Sequence, residues 1–470
     1  MEIKNKDAQP IFKWFTEISK IPRESANEKE ISDYLVNFAK ERGLEVHQDE
    51  ALNVIIRKKA SKGYEDRPIV ALQGHMDMVC VKVEGSDHDF LKDPIKLMEK
   101  DGWITADGTT LGADDGIGVA YIMAVLDDNT LKHGPIEAII TTEEETSMGG
   151  AGRLDLNQIK AKYLINIDSE EEGILTVGCA GGLDLEVNFA KAYEEASGEF
   201  IEVNLKGFAG GHSGMEIDEF RLNAIKTLAR LLEGIEGVQI GKVEGGVKRN
   251  AIPSSASATV AVSDPKKAIS LIESRIAEIK NEYKDVDPDG EITVKEGKFS
   301  GKVLSKDLSK RIIDCLYVIH DGLYKKVGDS IVTSSNLGIL EDREDSIFFN
   351  LMNRSEIDTQ KEDWAKKQAL LVEYFGGKSE VVSKYSGWQR EDSKLVDLAK
   401  EVWKDVHGDE MAVATTHGGL ECGLFKKTLK NTEMISFGPD IEGAHSPNER
   451  VNIDSVANNY KFLVELLERL

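Results

Sequence analysis

Cysteine is scarce: four residues (Cys80, Cys179, Cys315 and Cys422) are scattered over 470 positions, none in Cys-x-x-Cys spacing. That distribution argues against a disulfide framework and fits free thiols in a reducing cytosol. No apolar run approaches the ~18 residues that a membrane span requires. The opening Met1-Glu2-Ile3-Lys4 has no apolar signal segment, so neither membrane insertion nor signal-directed secretion is expected, and a cytoplasmic location is. Positive charge is also short, with 59 Lys and Arg against 84 Asp and Glu and a net charge of −25. Nucleic acid is a poor partner for such a chain, because binding it requires phosphate neutralisation by Lys and Arg. Low-complexity tracts and short-period repeats are absent too.

What remains is enough apolar sequence for more than one core, since chains of this length usually split into domains. Helical apolar spacing marks residues 9–20 and 28–42, with Ser25 and Asn27 as candidate caps for the second helix. Strands are predicted near 53–58 and 68–73, and a loop with a short hairpin near Trp103 over 84–101. After Gly181-Gly182 the pattern changes to half-polar alternating strands (200–206, 256–263) and helices (218–234, 265–284, 361–375). Such alternation suits an antiparallel sheet covered by helices on one face. We therefore expect an α/β catalytic domain with a mixed or parallel sheet, formed by residues 1–186 and 384–470. An inserted α+β domain would span 187–383, built as two related halves. Helices at 393–405 and 453–468 would flank the main sheet.

Five separated stretches place His, Asp or Glu where a strand-forming run ends or a helix begins. They are Gly74-His75-Met76-Asp77, Gly112-Ala113-Asp114-Asp115-Gly116, Thr142-Glu143-Glu144-Glu145, Asn166-Ile167-Asp168 and Gly443-Ala444-His445-Ser446. Short fully apolar runs suit strands buried on both faces, and α/β sheets bind ligands at the carboxyl ends of their strands. Gathering Asp77, Asp114, Glu144, Glu145 and Asp168 in one crevice is costly without cations. A like-charge pair at ~4 Å costs about 4 kcal/mol at an effective dielectric of ~20, against a typical domain stability of ~5–15 kcal/mol. Two divalent ions nearly cancel that charge. Imidazole with carboxylate suits zinc, although manganese or cobalt accept the same donors. Residues i and i+2 of a strand end point the same way, so Asp77 can fix the tautomer of His75. Of the adjacent Glu144 and Glu145, one can bind metal while the other holds a proton beside water.

These stretches resemble the co-catalytic zinc peptidases related to aminoacylases and carboxypeptidase G, and in particular their aminoacyl-histidine (Xaa-His, carnosinase-like) dipeptidase branch. The likeness runs nearly end to end. It includes Gln73-Gly74-His75-Met76-Asp77-Met78-Val79, Leu111-Gly112-Ala113-Asp114, Asp168-Ser169-Glu170, Gly210-Gly211-His212-Ser213-Gly214, Gly387-Trp388-Gln389, Gly419-Leu420-Glu421-Cys422-Gly423 and His445-Ser446-Pro447-Asn448-Glu449-Arg450. The usual His-Ala-Gly-Leu-Glu of the branch reads His417-Gly418-Gly419-Leu420-Glu421 here.

The resemblance implies one zinc on His75, Asp114 and Asp168 and another on Asp114, Glu145 and His445, with Asp114 bridging and the Asp114–Asp115 bond cis. Aligning Met148-Gly149-Gly150-Ala151 with the family pattern selects Glu144 as general base and leaves Glu143 without a catalytic role. Asp77 would orient His75, and His212 would be the histidine of the inserted lid that stabilises the oxyanion. Arg354 would hold a substrate carboxylate. Asn250, Asn336, His417 and Glu421 are candidate substrate-side residues, the last two on the other cleft wall. The implied activity is hydrolysis of small peptides, Xaa-His dipeptides foremost, by a homodimer joined through the lid. An aminoacylase, another amide hydrolase, or a catalytically silent metal-binding protein on the same fold are the alternatives.

Overall fold

Four apolar strands end together along one edge of a sheet, and that edge carries most of the candidate ligands. The computed structural model describes residues 3–328 and 330–470. The chain divides into two units: Met1–Gly178, Arg390–Thr415 and Leu420–Leu470 form the first, and Cys179–Gln389 with Thr416–Gly419 the second. The expected limits at 187 and 383 fall inside the second unit. It begins earlier because Cys179 and Trp388 bridge each other's backbones and Tyr385 and Gly182 exchange hydrogen bonds.

The first unit's eight-stranded sheet runs in the order Glu45–Gln48, Val54–Lys58, Ile136–Thr141, Val70–His75, Tyr163–Asn166, Glu433–Ser436, Ile174–Cys179, Ala412–Thr416. The Ile136, Val70, Tyr163 and Glu433 strands are mutually parallel, and their register aligns the carboxyl ends: His75 opposite Thr141, Gln73 opposite Asn166, and Ser436 opposite Asn166. Three of them (Ile136–Thr141, Val70–His75, Tyr163–Asn166) are buried at every position, as expected of parallel strands covered on both faces. The Glu433 strand returns the chain to this sheet after the insertion, which brings the distant His445 segment to the same edge.

Helix Ala113–Asp127 is apolar around its whole circumference and buried from Ile117 to Leu126, the pattern of a central core helix. Its first turn is not helical: Asp114 and Asp115 leave helical φ/ψ and the peptide between them is cis. Helices Gln9–Ile18, Lys394–His407 and Ile453–Arg469 pack with it into one apolar core. The Lys29–Glu41 helix corrects one expectation, because neither Ser25 nor Asn27 caps it. Its N-cap is Glu28, without a side-chain cap bond, and Ser25 Oγ donates instead to Asp77 Oδ2 at 2.7 Å.

In the second unit, strands Glu291–Gly297, Glu199–Lys206, Ala256–Val262, Gln239–Gly245, Ser330–Asp342, Ser346–Ser355, Gly181–Ala190 and Lys378–Lys384 lie in that order, and Gly322–Val327 pairs with Ser330–Asp342. All pairings are antiparallel, and the two α+β halves join in one sheet where Gly245 meets Leu340. Helices Ala224–Leu232, Pro265–Glu282, Lys306–Val318 and Asp358–Tyr374 complete its core. The helix expected over 218–234 starts late: Phe220 adopts a left-handed φ, and the Asn223 side chain caps Ile225 and Lys226. The hairpin near Trp103 is present as Leu97–Lys100 and Trp103–Ala106.

Candidate active site

Each strand end in the parallel edge delivers a donor. His75 closes its strand fully buried, with Nε2 at 3.2 Å from Asp114 Oδ1 and 3.4 Å from Asp168 Oδ1. Asp114 turns its other oxygen outward, so that Oδ2 lies 3.1 Å from His445 Nε2. Glu145 Oε2 stands 2.9 Å from the same nitrogen. The result is two donor triads, His75/Asp114/Asp168 and Asp114/Glu145/His445, whose atoms lie within 4.8 Å of one another in each. Asp114 belongs to both, with one carboxylate oxygen facing each. Two imidazole nitrogens and three carboxylates in triads sharing one carboxylate make a donor set that fits a pair of divalent cations of the zinc type.

The backbone explains why these side chains converge. Asp115 is no ligand: its carboxylate accepts the N–H groups of His75 (3.0 Å) and Gly118 (3.1 Å), tying the helix start to the strand end. Gly74 has to be glycine here, since a Cβ would collide with that carboxylate. His445 sits half exposed in a loop with φ of 61°. A few non-glycine residues adopt such a left-handed conformation, histidine more readily than most.

Glu144 and Glu145 open the short helix Glu144–Ser147, and Asp77 accepts both their N–H groups, at 3.1 and 3.3 Å. Glu28 accepts the N–H of Glu143 at 3.0 Å, and the Glu143 side chain is taken up by Arg153 at 2.7 Å. The run of three glutamates is thus divided by its partners.

Electrostatics in the metal-free protein follow from crowding. Burial, reinforced by Asp168 and Glu145 against the opposing His75, pushes Glu144 well above the usual carboxylate range. Burial and Asp114 push Glu145 up to about 7. Burial disfavours the His75 cation, yet Asp168, Asp114 and Asp77 outweigh it and raise that imidazole well above its ordinary value. Hydrogen bonds to Asp114 and Glu145 raise His445 to about 11. In the absence of metal, protons on the two imidazoles partly offset the carboxylate charge.

Glu421, expected on the other cleft wall, takes part in a buried polar layer. It is fully buried, and its Oε2 accepts from Gln73 Nε2 (2.5 Å) and Thr141 Oγ1 (2.6 Å), while Asn166 donates to Gln73 Oε1 at 2.6 Å. This polar layer lies beneath the ligand-bearing strand ends, two residues before His75 and Asp168. Burial pushes Glu421 up to about 8.

The remaining candidates lie in the second unit. His212 Nδ1 accepts the N–H of Met215 at 3.2 Å, and its Nε2 faces Arg354. That Nε2 is 3.5 Å from Arg354 Nη2. An imidazole and a guanidinium thus lie side by side. Arg354 is buried on a central strand opposite Ser334 and Gly182, with Nη1 3.3 Å from Tyr385 Oη. His417 is buried and bonded to Ser334 Oγ at 2.7 Å, and burial together with Arg354 pulls its pKa down to about 3. Asn336 is likewise buried, its amide donating to the carbonyls of Arg249 and Ala251. Asn250 is exposed, and its carbonyl accepts the N–H of Ser213. Sequence reading missed Arg23, Glu28 and Tyr385 and took Ser25 for a cap; their hydrogen bonds, buried for Arg23 and partly buried for the others, have no local pattern to mark them.

The fold agrees with that of known proteins. Residues 71–469 match the peptidase family M20/M25/M40. The cytosol non-specific dipeptidase of Escherichia coli is 37% identical over 480 residues, covering 100% of this chain and 99% of that one. The aminoacylhistidine dipeptidase of Vibrio alginolyticus superposes with a TM-score of 0.88 at 35% identity, over 100% of this chain and 98% of that chain. The aminopeptidase PepT of Bacillus cereus shares the fold at 19% identity and a TM-score of 0.57, over 98% of both chains. With its catalytic-type strand edge and its full-length match, the chain belongs to peptidase family M20/M25/M40 and is a hydrolytic enzyme.

Proposed function

We propose that the protein is a di-metal dipeptidase that hydrolyses small peptides, Xaa-His dipeptides such as β-alanyl-histidine among them. The observation that carries this reading is the pair of donor triads sharing Asp114, with the half-buried Glu144 next in the chain to the triad member Glu145. The two full-length relatives, one named a non-specific dipeptidase and the other an aminoacylhistidine dipeptidase, support the substrate class. His75, Asp114 and Asp168 would hold one cation and Asp114, Glu145 and His445 the other, zinc fitting the donors best.

Such cations, when bound, supply Lewis acidity and lower the pKa of a water nucleophile toward ~7. Glu144 takes the proton of that water on its carboxylate as the oxygen adds to the scissile carbonyl carbon. It then returns the proton to the leaving amine nitrogen as the C–N bond breaks, a service worth roughly 10²–10⁴-fold. Asp77 holds the His75 ring and the backbone of Glu144. His212 would donate Nε2–H to the developing oxyanion, and Arg354 would fork onto the substrate's carboxylate, which a planar guanidinium suits.

The reading includes a cytoplasmic location, and among the described residues no helix is long and apolar enough to cross a membrane. It also includes a homodimer joined through the second unit, for which the exposed Tyr374, Val381 and Val382 at its edge strand and neighbouring helix offer apolar surface. The deciding experiment is hydrolysis by the zinc-loaded protein of a panel comprising Xaa-His dipeptides, other dipeptides, tripeptides and N-acyl amino acids. Cleavage of dipeptides is expected; cleavage confined to N-acyl amino acids would overturn the proposal in favour of an aminoacylase.

A further inference from the structure

We propose that Glu449 and Arg23 are positioning residues of the metal centre, gripping from two sides the backbone that carries the shared ligand Asp114. Glu449 is buried, and its carboxylate accepts four consecutive backbone N–H groups. Oε2 takes those of Leu111 (2.7 Å) and Gly112 (2.9 Å), and Oε1 those of Ala113 (2.7 Å) and Asp114 (3.3 Å). A carboxylate that satisfies so many donors fixes the path of the segment, because each buried N–H left unpaired costs free energy.

The Arg23 guanidinium, also buried, takes the carbonyls. Nη2 donates to Gly112 at 2.5 Å, and Nη1 to Met76 and Asp77, each at 3.1 Å. Gly112 has φ of 68°, and a Cβ there would lie 2.5 Å from Arg23 Nη2, so only glycine lets the guanidinium approach.

The two grips connect three ligand-bearing segments. Arg23 links the His75 strand end to the Asp114 loop. Glu449 links that loop to the His445 segment, where its own N–H donates to Ser446 and its carbonyl accepts from Thr105 Oγ1. Arg23 precedes the part of the chain matched to the family. Neither residue touches a donor atom of the triads through its side chain. Their effect is on where Asp114 Oδ1 and Oδ2 stand relative to His75 and His445.

This inference rests on the ligand assignment above. The test is titration of metal-free protein with Co²⁺, following binding by calorimetry and ligand geometry by the visible d–d spectrum. Glu449→Gln keeps the side-chain size but turns one acceptor into an amide facing backbone N–H groups. It should fold, lose about 10–100-fold in Co²⁺ affinity as outer groups around metal sites do, and show a shifted spectrum. Glu449→Asp should lose less. Arg23→Lys should show the same loss from the opposite side, and it carries the test if Glu449→Gln fails to fold. Wild-type affinity and an unchanged spectrum in folded Glu449→Gln or Arg23→Lys would overturn the positioning role. Wild-type binding by Asp114→Asn would instead overturn the ligand assignment itself.

Discussion

Asp77 Oδ1 lies 3.4 Å from Nδ1 of His75, on the side of the ring opposite the nitrogen that faces Asp114 and Asp168. The same oxygen accepts the N–H of Glu144, and Oδ2 that of Glu145. One carboxylate thus sets the imidazole proposed to hold one cation and the backbone of both the proposed base and a proposed ligand of the other.

Replacing Asp77 with Asn should therefore disturb metal binding and turnover together. Loss of the charge beside His75 is expected to cost about 10–100-fold in metal affinity or activity. Competition with a chromophoric chelator, alongside dipeptide kinetics, reads both, and an effect on neither would remove Asp77 from the account.

Glu144→Gln separates chemistry from binding. It should lower kcat by about 10²–10⁴-fold while the protein still binds two ions, counted by mass spectrometry. Undiminished kcat would mean that the base is elsewhere in the run.

Arg354→Met tests carboxylate recognition. Wild type should prefer a dipeptide with a free C-terminal carboxylate over its amide, and the variant should lose that preference through a raised KM. The observable is the ratio of kcat/KM for the two substrates; an unchanged ratio contradicts the assignment.

Proton release gives a sign-definite pH prediction. With His445 raised to about 11 by Asp114 and Glu145, the metal-free protein holds that imidazole protonated at pH 7–8, and a ligand imidazole has to be neutral. Metal uptake should release protons, and apparent affinity should rise with pH through this range. Calorimetry in buffers of different ionisation enthalpy measures the number released. Uptake without release would contradict the coordination by His445.

Glu421 gives the opposite kind of linkage. Its folded-state pKa of about 8 lies above the ordinary carboxylate value, so the folded protein keeps a proton that the unfolded chain has lost. Stability of the metal-free protein should fall as pH rises from about 4.5 to about 8. Glu421→Gln, which mimics the protonated acid, should gain on wild type over that window by an amount on the order of 1–4 kcal/mol. Urea unfolding at pH 5 and pH 8 makes the comparison.

Much of this site was legible in the sequence because its residues stand at strand ends. The apolar runs before His75, Glu144 and Asp168 announce buried parallel strands, and parallel strands align their carboxyl ends. Less legible was what holds those ends. Arg23 and Glu28 come from the N-terminal segment, where Ser25 reads as a helix cap, and only the tertiary fold shows that all three serve the ligand loops. Glu421 reads as a polar cleft residue, since a carboxylate is rarely buried unpaired. Its partners Gln73 and Thr141 are far away in sequence. The second unit runs from Cys179 to Gln389, beyond the expected limits, for a similar reason: the backbone pairing of Cys179 with Trp388 has no local signature.

The central claim is that paired cations sharing Asp114 are required for peptide cleavage. Its most direct test is stepwise zinc titration of rigorously metal-free protein while hydrolysis of a dipeptide is followed. Activity should be absent at the start and reach its plateau at two equivalents per chain. Full hydrolysis by protein shown to be metal-free, or a plateau at one equivalent, would contradict it.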